Sequence, residues 1–598
     1  MSAPWTQEEA GLIKLLKKMD AREWIMAALC AALVLGQIYF DLKLPDYMSD
    51  LTVLIKTEGS TVADVVRTGL PMLGCTLASA ALAVAAGFLA AKTAAGLSYR
   101  VREALFHKVA AFGQEEMLSF SVASLINRTT NDITQIQMLV AMGLQIIIKS
   151  PIMAVWAIIK IVGKSWQLSV ITAGFVAAIL AVMITVIVVV MPRVKRVQKL
   201  TDNVGRVARE NLNGINVVHA FNAEDYQNGK FEQANGVLMN TQLFNQRAFA
   251  ALMPTISLGM NALALVIYWV GAALVNNLAV TDAMARLTMF GNVVVFGTYA
   301  TYVVMSLMMM VMIFMFLPSA QVSAERINEV LETDIRLREG RASDAPEAGT
   351  VEFRNVSFRY PGASADALQN VSFRAERGQT VAFIGATGCG KTTLVSLAAR
   401  IYDATAGSVL IDGRDIRDYT FDALYDRVAY VTQKATLFSG DVESNVLFGE
   451  RKEPDTDEGV ARALDLAQAT EFVSSLPGGV RAPISQGGVN LSGGQKQRLS
   501  IARALARRPE IVIFDDSFSA LDYKTDAALR RALHEELAGT TCLIVAQRIG
   551  TIRHADRILV LDDGGIVGDG THEELLKSCS VYREIAMSQL SGEELENA

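Results

Sequence analysis

A glycine-rich stretch in the second half of the chain has the residue types that hold a phosphate group. Residues 385–392 read GATGCGKT; the apolar residues 381–384 predict a buried strand before them, and a helix is predicted from Thr393. The glycines let backbone N–H groups turn towards a β-phosphate, Lys391 supplies a positive charge, and Thr392 offers a hydroxyl to Mg²⁺. The helix places its positive N-terminal end on the same anion. The candidate nucleotide contacts are Gly385, Ala386, Thr387, Gly388, Cys389, Gly390, Lys391, Thr392 and Thr393.

A carboxylate follows a second predicted strand further along the chain. Residues 511–514 are apolar (IVIF), and Asp515 comes directly after them. The glycine-rich stretch between a strand and a helix is a P-loop. A buried strand that ends beside it would bring this carboxylate to a Mg²⁺ ion bound with the nucleotide phosphates. Because an apolar strand that ends in Asp is common, this prediction depends on the glycine-rich stretch before it. Together the two elements predict a site for ATP and Mg²⁺.

A second glycine-containing motif lies between these two elements. Residues 491–495 read LSGGQ, and a helical pattern follows them. Two glycines and a hydroxyl ahead of a helix form another backbone site for an anion. With this pentapeptide in this place, the chain resembles the ATP-binding cassette (ABC) transporter family, whose signature sequence is LSGGQ. The resemblance implies that Ser492, Gly494 and Gln495 close on the γ-phosphate of ATP held by another subunit. One chain would then supply two half-sites, and a second subunit would complete each of them.

The resemblance also implies roles for residues outside these motifs. Tyr360, in VSFRYPG, corresponds to the aromatic residue that stacks on adenine. Gln433, in YVTQKATLF, corresponds to the Q-loop residue that senses Mg²⁺. Residues 113–128 and 214–226 correspond to the two coupling-helix regions that rest on the nucleotide-binding domains. The implied metal-binding residues are Thr392, Gln433 and Asp515.

Three positions depart from the family pattern. Asp516 stands where the family usually has Glu, which polarises the attacking water. One methylene fewer retracts the carboxylate, and a misplacement of about 1 Å can cost on the order of 10²-fold in rate. Gln547 replaces the switch histidine, and an amide cannot become cationic; Gln486 lies where exporters commonly carry an acidic residue. The binding motifs are intact, while the catalytic positions Asp516 and Gln547 are changed. This pattern resembles that of the degenerate subunit in heterodimeric ABC exporters.

Outside these motifs the sequence divides into an apolar half and an α/β half. Apolar residues make up 51% of the 598 residues, and the excess lies in long runs. A bilayer core of about 30 Å needs roughly 20 helical residues, so the runs predict transmembrane helices. The runs are residues 24–40, 69–91, 138–162, 168–191, 248–275 and 289–317. After residue 350, β-branched strands alternate with helical patterns, which predicts an α/β P-loop domain with a largely parallel sheet.

The predicted fold is therefore an α-helical polytopic membrane domain of six transmembrane helices followed by an α/β nucleotide-binding domain. Lys and Arg favour the N-terminal tail and the long loops, which places these segments and both termini in the cytoplasm. The predicted order is a cytoplasmic tail (1–22), a transmembrane domain with two long cytoplasmic loops (23–318), a linker (319–349), an ATP-binding cassette domain (350–585) and a C-terminal tail (586–598).

Charge and cysteine content exclude several classes of protein. A net charge of −6 argues against a general nucleic-acid binder, so no nucleic-acid partner is expected. The first apolar run starts late and lacks a small-residue cleavage site, which argues against a signal peptide. The cysteines lack a framework spacing, which excludes a disulfide scaffold or a clustered zinc site. They are Cys30, Cys75, Cys389, Cys542 and Cys579.

Two features of the apolar half bear on the cargo. Lys149 lies near the middle of the third run, where a Lys costs about 2.5–3.5 kcal/mol, so it must face a cavity or a partner. It contacts either a polar or anionic cargo group or another helix. The sixth run is rich in Met, whose flexible thioethers suit a promiscuous apolar pathway but pack ordinary cores equally well. These methionines are Met305, Met308, Met309, Met310, Met312 and Met315.

The resemblance and the departures together predict one subunit of an ATP-driven exporter in a bacterial inner membrane. Its cargo would be a hydrophobic or amphipathic small molecule, lipid or peptide, and its partner a non-identical half-transporter. Two alternatives stay open: an exporter-fold importer of a metal-chelating molecule, and a mainly regulatory ATP-binding subunit. The sequence names neither the cargo nor the partner, and nothing in it sets the direction of transport.

Overall fold

The structure, a computed structural model, describes residues 5–56, 60–162, 164–278, 283–449, 457–536 and 539–590. It divides into two compact units. The helical unit comprises Met1–Lys108 and Ala123–Glu332, and the α/β unit comprises Val109–Val122 and Thr333–Ala598. The predicted C-terminal tail lies outside the described residues from residue 591 onward, as does the side chain of Met315 in the Met-rich run.

Long helices build the first half of the chain. They are α1 (Trp5–Leu16), α2 (Ala21–Lys56), α3 (Val62–Ala110), α4 (Gln114–Ser119), α5 (Val122–Asn127), α6 (Ile133–Val162), α7 (Trp166–Asn213), α8 (Ile215–Ala220), α9 (Glu224–Asn276) and α10 (Ala283–Glu332), with a π-helical turn at Arg128–Asp132. In the described part of the chain, six helical stretches are long and apolar enough to cross a membrane. The predicted six transmembrane helices are confirmed.

These helices are longer than a membrane requires. Helix α9 has 53 residues, and at 1.5 Å per residue it is about 80 Å long, against a bilayer core of about 30 Å. The polar segments on either side of the apolar runs therefore continue the same helices. Likewise α10 runs on to Glu332, into the segment predicted as a linker, because Ala324, Ile327 and Val330 keep helical spacing and are fully buried.

The core of the helical unit contains both apolar residues and paired charges. Asp41 of α2 lies 3.2 Å from the Nζ of Lys149 on α6, and Asp46 lies 2.6 Å from the Nζ of Lys160. The fully buried Tyr299 of α10 donates its hydroxyl to the backbone oxygen of Leu42 at 2.8 Å. Of the two interpretations of Lys149, contact with another helix is therefore present in the structure. Its role towards cargo stays a hypothesis.

Two main sheets organise the α/β unit. Its strands are β1 (Val351–Phe358), β2 (Leu368–Ala375), β3 (Thr380–Gly385), β4 (Ala406–Ile411), β5 (Arg414–Asp415), β6 (Val428–Val431), β7 (Gly440–Asp441), β8 (Pro483–Ile484), β9 (Ile511–Asp515), β10 (Thr541–Val545), β11 (Arg557–Asp562) and β12 (Gly565–Gly570). One sheet has the order β12-β11-β3-β10-β9-β6, with β12 antiparallel at its edge and the other pairs parallel. The other, β2-β1-β4-β5, is antiparallel.

Helices and short 3₁₀ turns connect the strands. The helices are α11 (Lys391–Ala398), α12 (Phe421–Arg427), α13 (Val442–Val446), α14 (Asp457–Leu466), α15 (Thr470–Ser475), α16 (Gly493–Ala506), α17 (Tyr523–Glu536), α18 (Ile549–Ile552), α19 (His572–Ser578) and α20 (Ser580–Gln589). Every residue of β9 and β10 is buried, as expected for parallel strands covered on both faces. Strands β3 and β9 both flank β10 in parallel, so their carboxyl ends, at Gly385 and Asp515, meet at one edge of the sheet. The predicted fold class is confirmed.

Candidate nucleotide site

The glycine-rich loop joins β3 directly to α11. Gly388 and Gly390 have φ angles of 90° and 101°, in the left-handed region that favours glycine. A Cβ atom on Gly390 would lie 2.7 Å from the backbone oxygen of Ala367, so a larger residue would also collide with the chain. The backbone N–H groups at the start of α11 are thus left open towards the loop, where an anion would be stabilised by the helix dipole.

Lys391 is held by the loop itself. Its Nζ donates hydrogen bonds to the backbone oxygens of Gly385 and Ala386 at 2.8 and 2.7 Å, and it lies 3.5 Å from the Sγ of Cys389. Its partners in the loop are carbonyl dipoles and a thiol, which leave the ammonium charge unneutralised. The charge is therefore positioned for the oxygens of a bound phosphate.

Two hydroxyl groups hold the carboxylate of Asp515 at the end of β9. Thr392 donates to its Oδ1 and Tyr430 to its Oδ2, each at 3.0 Å. Burial raises the pKa of the Asp515 carboxyl, and the two hydroxyl donors oppose that rise. Sequence reasoning identified Thr392 and Asp515 but missed Tyr430. No local motif marks it, because its contact with Asp515 depends on β6 lying beside β9, with Tyr430 opposite Ile513.

Two amides hold the carboxylate of Asp516. Gln433 and Gln547 both donate through Nε2 to the same oxygen, Oδ2, at 3.1 and 3.0 Å. Asp516 has a φ of 47°, which is uncommon for a residue with a side chain, and it is 9% exposed. The fold therefore brings together three residues that the sequence singled out in three separate segments.

Tyr360 lies at the edge of the same region. Its hydroxyl shares a hydrogen bond of 2.9 Å with Thr393 on α11, and its ring meets those of Phe358 and Tyr402 edge-on at 4.9 and 5.5 Å. A cavity of about 460 Å³ opens beside these rings, with Glu115 of α4 in its wall. Its aromatic wall has the chemistry to hold a planar base.

The LSGGQ residues form a group of their own at the start of α16. Ser492 caps this helix: its Oγ accepts from the backbone N–H of Gln495 at 3.3 Å, while its own N–H donates to the Oε1 of Gln495 at 2.8 Å. A Cβ on Gly494 would lie 3.2 Å from the backbone oxygen of Ala520. The loop before this motif is tied to it, because Lys496 donates to the backbone oxygen of Gly487 at 3.0 Å, next to Gln486.

The predicted coupling regions are helical. Residues 113–128 contain α4 and α5, and residues 214–226 contain α8. In the α/β unit, Glu116 of α4 accepts from the backbone N–H groups of Gly113 and Arg336 at 2.9 and 3.0 Å. Helix α4 is thereby attached to the segment that leads into β1.

Comparison with known families gives two matches. The ABC transporter transmembrane region matches residues 25–307, and the ABC transporter family matches residues 368–519. The second match contains the glycine-rich loop, the LSGGQ motif and both carboxylates of the site.

Individual relatives match along nearly the whole chain. An uncharacterized ABC transporter ATP-binding protein of Mycobacterium bovis is 38% identical over 91% of this chain and 93% of its own. An uncharacterized ABC transporter ATP-binding protein of Bacillus subtilis is 36% identical, over 88% and 90%. The ATP-dependent lipid A-core flippase of Pseudomonas aeruginosa is 31% identical, over 83% and 81%. A bacterial Atm1-family ABC exporter solved with ATP bound has the same fold, with a TM-score of 0.77, 23% identity, and coverage of 96% and 99%.

Proposed function

The chain belongs to the ABC transporters, and from that premise we propose that it is the degenerate-site subunit of a heterodimeric exporter. It is a multi-pass membrane protein whose ATP-binding domain is an ATPase coupled to transport. The proposal adds three points. This chain's own nucleotide site hydrolyses ATP slowly or not at all, its LSGGQ motif completes the site of a non-identical partner, and it works in a bacterial inner membrane.

One observation carries the slow site: Oδ2 of Asp516 accepts hydrogen bonds from the side-chain amides of both Gln433 and Gln547. A general base must accept a proton from water, and an oxygen already accepting two N–H groups is poorly placed to do so. Aspartate also holds this oxygen one methylene closer to the backbone than glutamate would. The site therefore has the groups to bind ATP, while one of the two oxygens of its base is occupied by amide donors.

The residues present fit a Mg²⁺ ion. Thr392 and Asp515 offer a hydroxyl and a carboxylate that lie 3.0 Å apart, and hard oxygen ligands are what Mg²⁺ prefers. Gln433, the third residue with an implied role at the metal, donates to Asp516. When bound, Mg²⁺ would neutralise charge on the nucleotide phosphates. Lys391 and the N–H groups at the start of α11 would bind those phosphates.

The cargo proposal is an amphipathic small molecule, lipid or peptide. The relative from Pseudomonas aeruginosa is named for moving lipid A-core, and the helical unit presents apolar side chains along its long helices. ATP-driven switching requires ATP to bind one conformation better than the other. We propose export; vesicle uptake by the chain with its partner would test the direction, and inward movement would favour the importer instead.

The slow site is tested by restoring the family residues. The full-length chain alone in lipid nanodiscs is expected to bind ATP but to turn over below about 0.1 s⁻¹, where ordinary enzymes reach roughly 10 s⁻¹. In the heterodimer, with the partner's own nucleotide site inactivated, the double variant Asp516→Glu, Gln547→His should raise turnover on the order of 10²-fold, because it restores the longer carboxylate and the histidine. Asp516→Asn with Gln547→His is the matched control, since it lacks a base and should give no gain.

Two outcomes would overturn the proposal. One is ordinary turnover by the unmodified chain as a homodimer. The other is a double variant that binds ATP as the unmodified chain does but hydrolyses it no faster when the partner subunit is present. The regulatory alternative has its own test. Lys391→Ala should prevent this chain from binding ATP, and cargo transport at the full rate in that variant would exclude a regulatory role for the site.

A further inference from the structure

The hydroxyl of Tyr430 stands out among the groups around Asp515, because no sequence motif assigns it a role. Strand β6 pairs in parallel with β9, with Tyr430 opposite Ile513 and Val431 opposite Phe514. This register lets the phenol reach past the end of β9 to the Oδ2 of Asp515, at 3.0 Å. The contact joins residues 85 positions apart in the chain, so it depends on the sheet and not on a local turn.

The two oxygens of Asp515 have different donors, and the donors differ in kind. Thr392, on Oδ1, is itself a candidate ligand of Mg²⁺, so its hydroxyl has a second possible partner. Tyr430 is the donor on Oδ2, and a phenol is protonated at neutral pH and therefore donates. Burial further raises the pKa of Tyr430, which keeps the proton on its oxygen.

The ring of Tyr430 packs against the buried apolar core of the α/β unit, which includes Val428 and Ile513. It also lines a cavity of about 240 Å³ together with Tyr425 and Arg503. A rigid ring anchored in this way fixes the position of its hydroxyl, because Tyr has only two rotatable side-chain bonds.

We propose that Tyr430 is a positioning residue of the nucleotide site: its hydroxyl orients the Asp515 carboxylate so that the other oxygen faces the metal that accompanies ATP. The inference rests on the proposed nucleotide site but not on that site being slow. The Tyr430 hydroxyl should therefore lower the Mg²⁺ concentration that nucleotide binding requires. Contacts to the phosphates through Lys391 and the loop should be unaffected.

The test measures binding of a fluorescent, non-hydrolysable ATP analogue to the full-length chain in nanodiscs, first in EDTA and then with Mg²⁺ added. Tyr430→Phe keeps the ring and removes the hydroxyl. It should raise the Mg²⁺ concentration at half-maximal effect about tenfold, the size expected for one hydrogen bond to a charged group. Affinity for the analogue in EDTA should change less than about twofold. Tyr425→Phe, which removes a phenol hydroxyl from the same cavity wall, is the matched control and should change neither value.

A double-variant comparison separates positioning from general structural damage. In an Asp515→Asn background the carboxylate charge is gone, so adding Tyr430→Phe should change the Mg²⁺ requirement no further. An equal loss of affinity in EDTA and in Mg²⁺, or the same tenfold loss in both backgrounds, would overturn the proposal. So would an unchanged Mg²⁺ requirement in Tyr430→Phe. Fast hydrolysis by the unmodified chain would contradict the slow site but would leave this result standing.

Discussion

Acidic side chains are balanced in different ways among the apolar helices and in the nucleotide site. In the helical unit, Asp41 and Asp46 lie beside the ammonium groups of Lys149 and Lys160. In the α/β unit, Asp515 has hydroxyl donors and Asp516 has amide donors. Neutral donors satisfy the hydrogen-bonding capacity of a carboxylate but leave its charge in place.

The difference follows from whether a neutralising charge can come from outside the chain. A charge among apolar helices has little water around it, so the chain itself supplies an opposite charge. A nucleotide site receives both Mg²⁺ and phosphate with its ligand, and built-in ion pairs would compete with them. Lys391 also keeps its charge, because its ammonium donates to backbone carbonyl oxygens and not to a carboxylate. Its positive charge is therefore left for the phosphates of the ligand.

The largest effect is expected from removing one charge of the Asp41–Lys149 pair. Asp41→Asn leaves the Lys149 ammonium unpaired among helices and should destabilise the helical unit by about 3 kcal/mol, as for other broken buried pairs. The double variant Asp41→Asn, Lys149→Gln should recover most of that loss, since no charge is left. Thermal unfolding in nanodiscs measures both.

A second pair supplies the control for this prediction. Lys160 and Asp46 are 36% and 32% exposed as side chains, against 22% for each member of the Asp41–Lys149 pair. Because water screens a more exposed pair, Asp46→Asn should cost less, about 1 kcal/mol. Equal losses for Asp41→Asn and Asp46→Asn would contradict the interpretation that burial sets the strength.

The reverse change should impair the nucleotide site by placing a cation beside its carboxylates. Gln433→Lys places an ammonium beside Asp516, the residue that directly follows Asp515, where it should compete with Mg²⁺. The Mg²⁺ concentration needed for half-maximal nucleotide binding should rise about tenfold. Gln433→Met is the uncharged control of similar length, and a rise of the same size in that variant would point to loss of the amide, as hydrogen-bond donor or metal ligand, instead of to the added charge.

The smallest effect concerns a buried pair within the α/β unit. Asp412 is fully buried beside the Arg427 guanidinium, 3.4 Å away, and accepts from the N–H of Thr350 at 2.9 Å. Burial, together with the neighbouring Glu510 carboxyl, raises the pKa of Asp412 to about 6 despite that cation. The folded state then holds the proton more tightly than the unfolded state, so stability should fall as pH rises towards and through the folded-state pKa, by about 1 kcal/mol between pH 5 and pH 7.

The check is the pH dependence of unfolding of the α/β unit within the full-length chain. Asp412→Asn removes the titrating group while keeping an oxygen for Thr350, so the decrease in stability between pH 5 and pH 7 should become smaller in this variant. An unchanged slope would show that another group causes it.

Much of the fold could be predicted from the sequence because the patterns that indicate it are local. Runs of apolar residues longer than a bilayer needs predict spanning helices, and a glycine-rich loop between a strand and a helix predicts a phosphate site. The end of α10 at Glu332 was harder to predict, because the helix continues where its side chains are buried against other helices. Tyr430 was missed for a related reason: its partner depends on which strand lies beside β9.

By itself, the sequence determined the kinds of group present: a loop that must bind an anion, two adjacent carboxylates, an amide in place of a histidine, and lysines within apolar helices. Tertiary structure alone decided their partners, because a hydrogen bond requires two atoms within about 3 Å. Lys149 and Asp41 are 108 positions apart, and Gln547 and Asp516 are 31 apart. Only the packing of helices and the order of strands places such pairs within that distance.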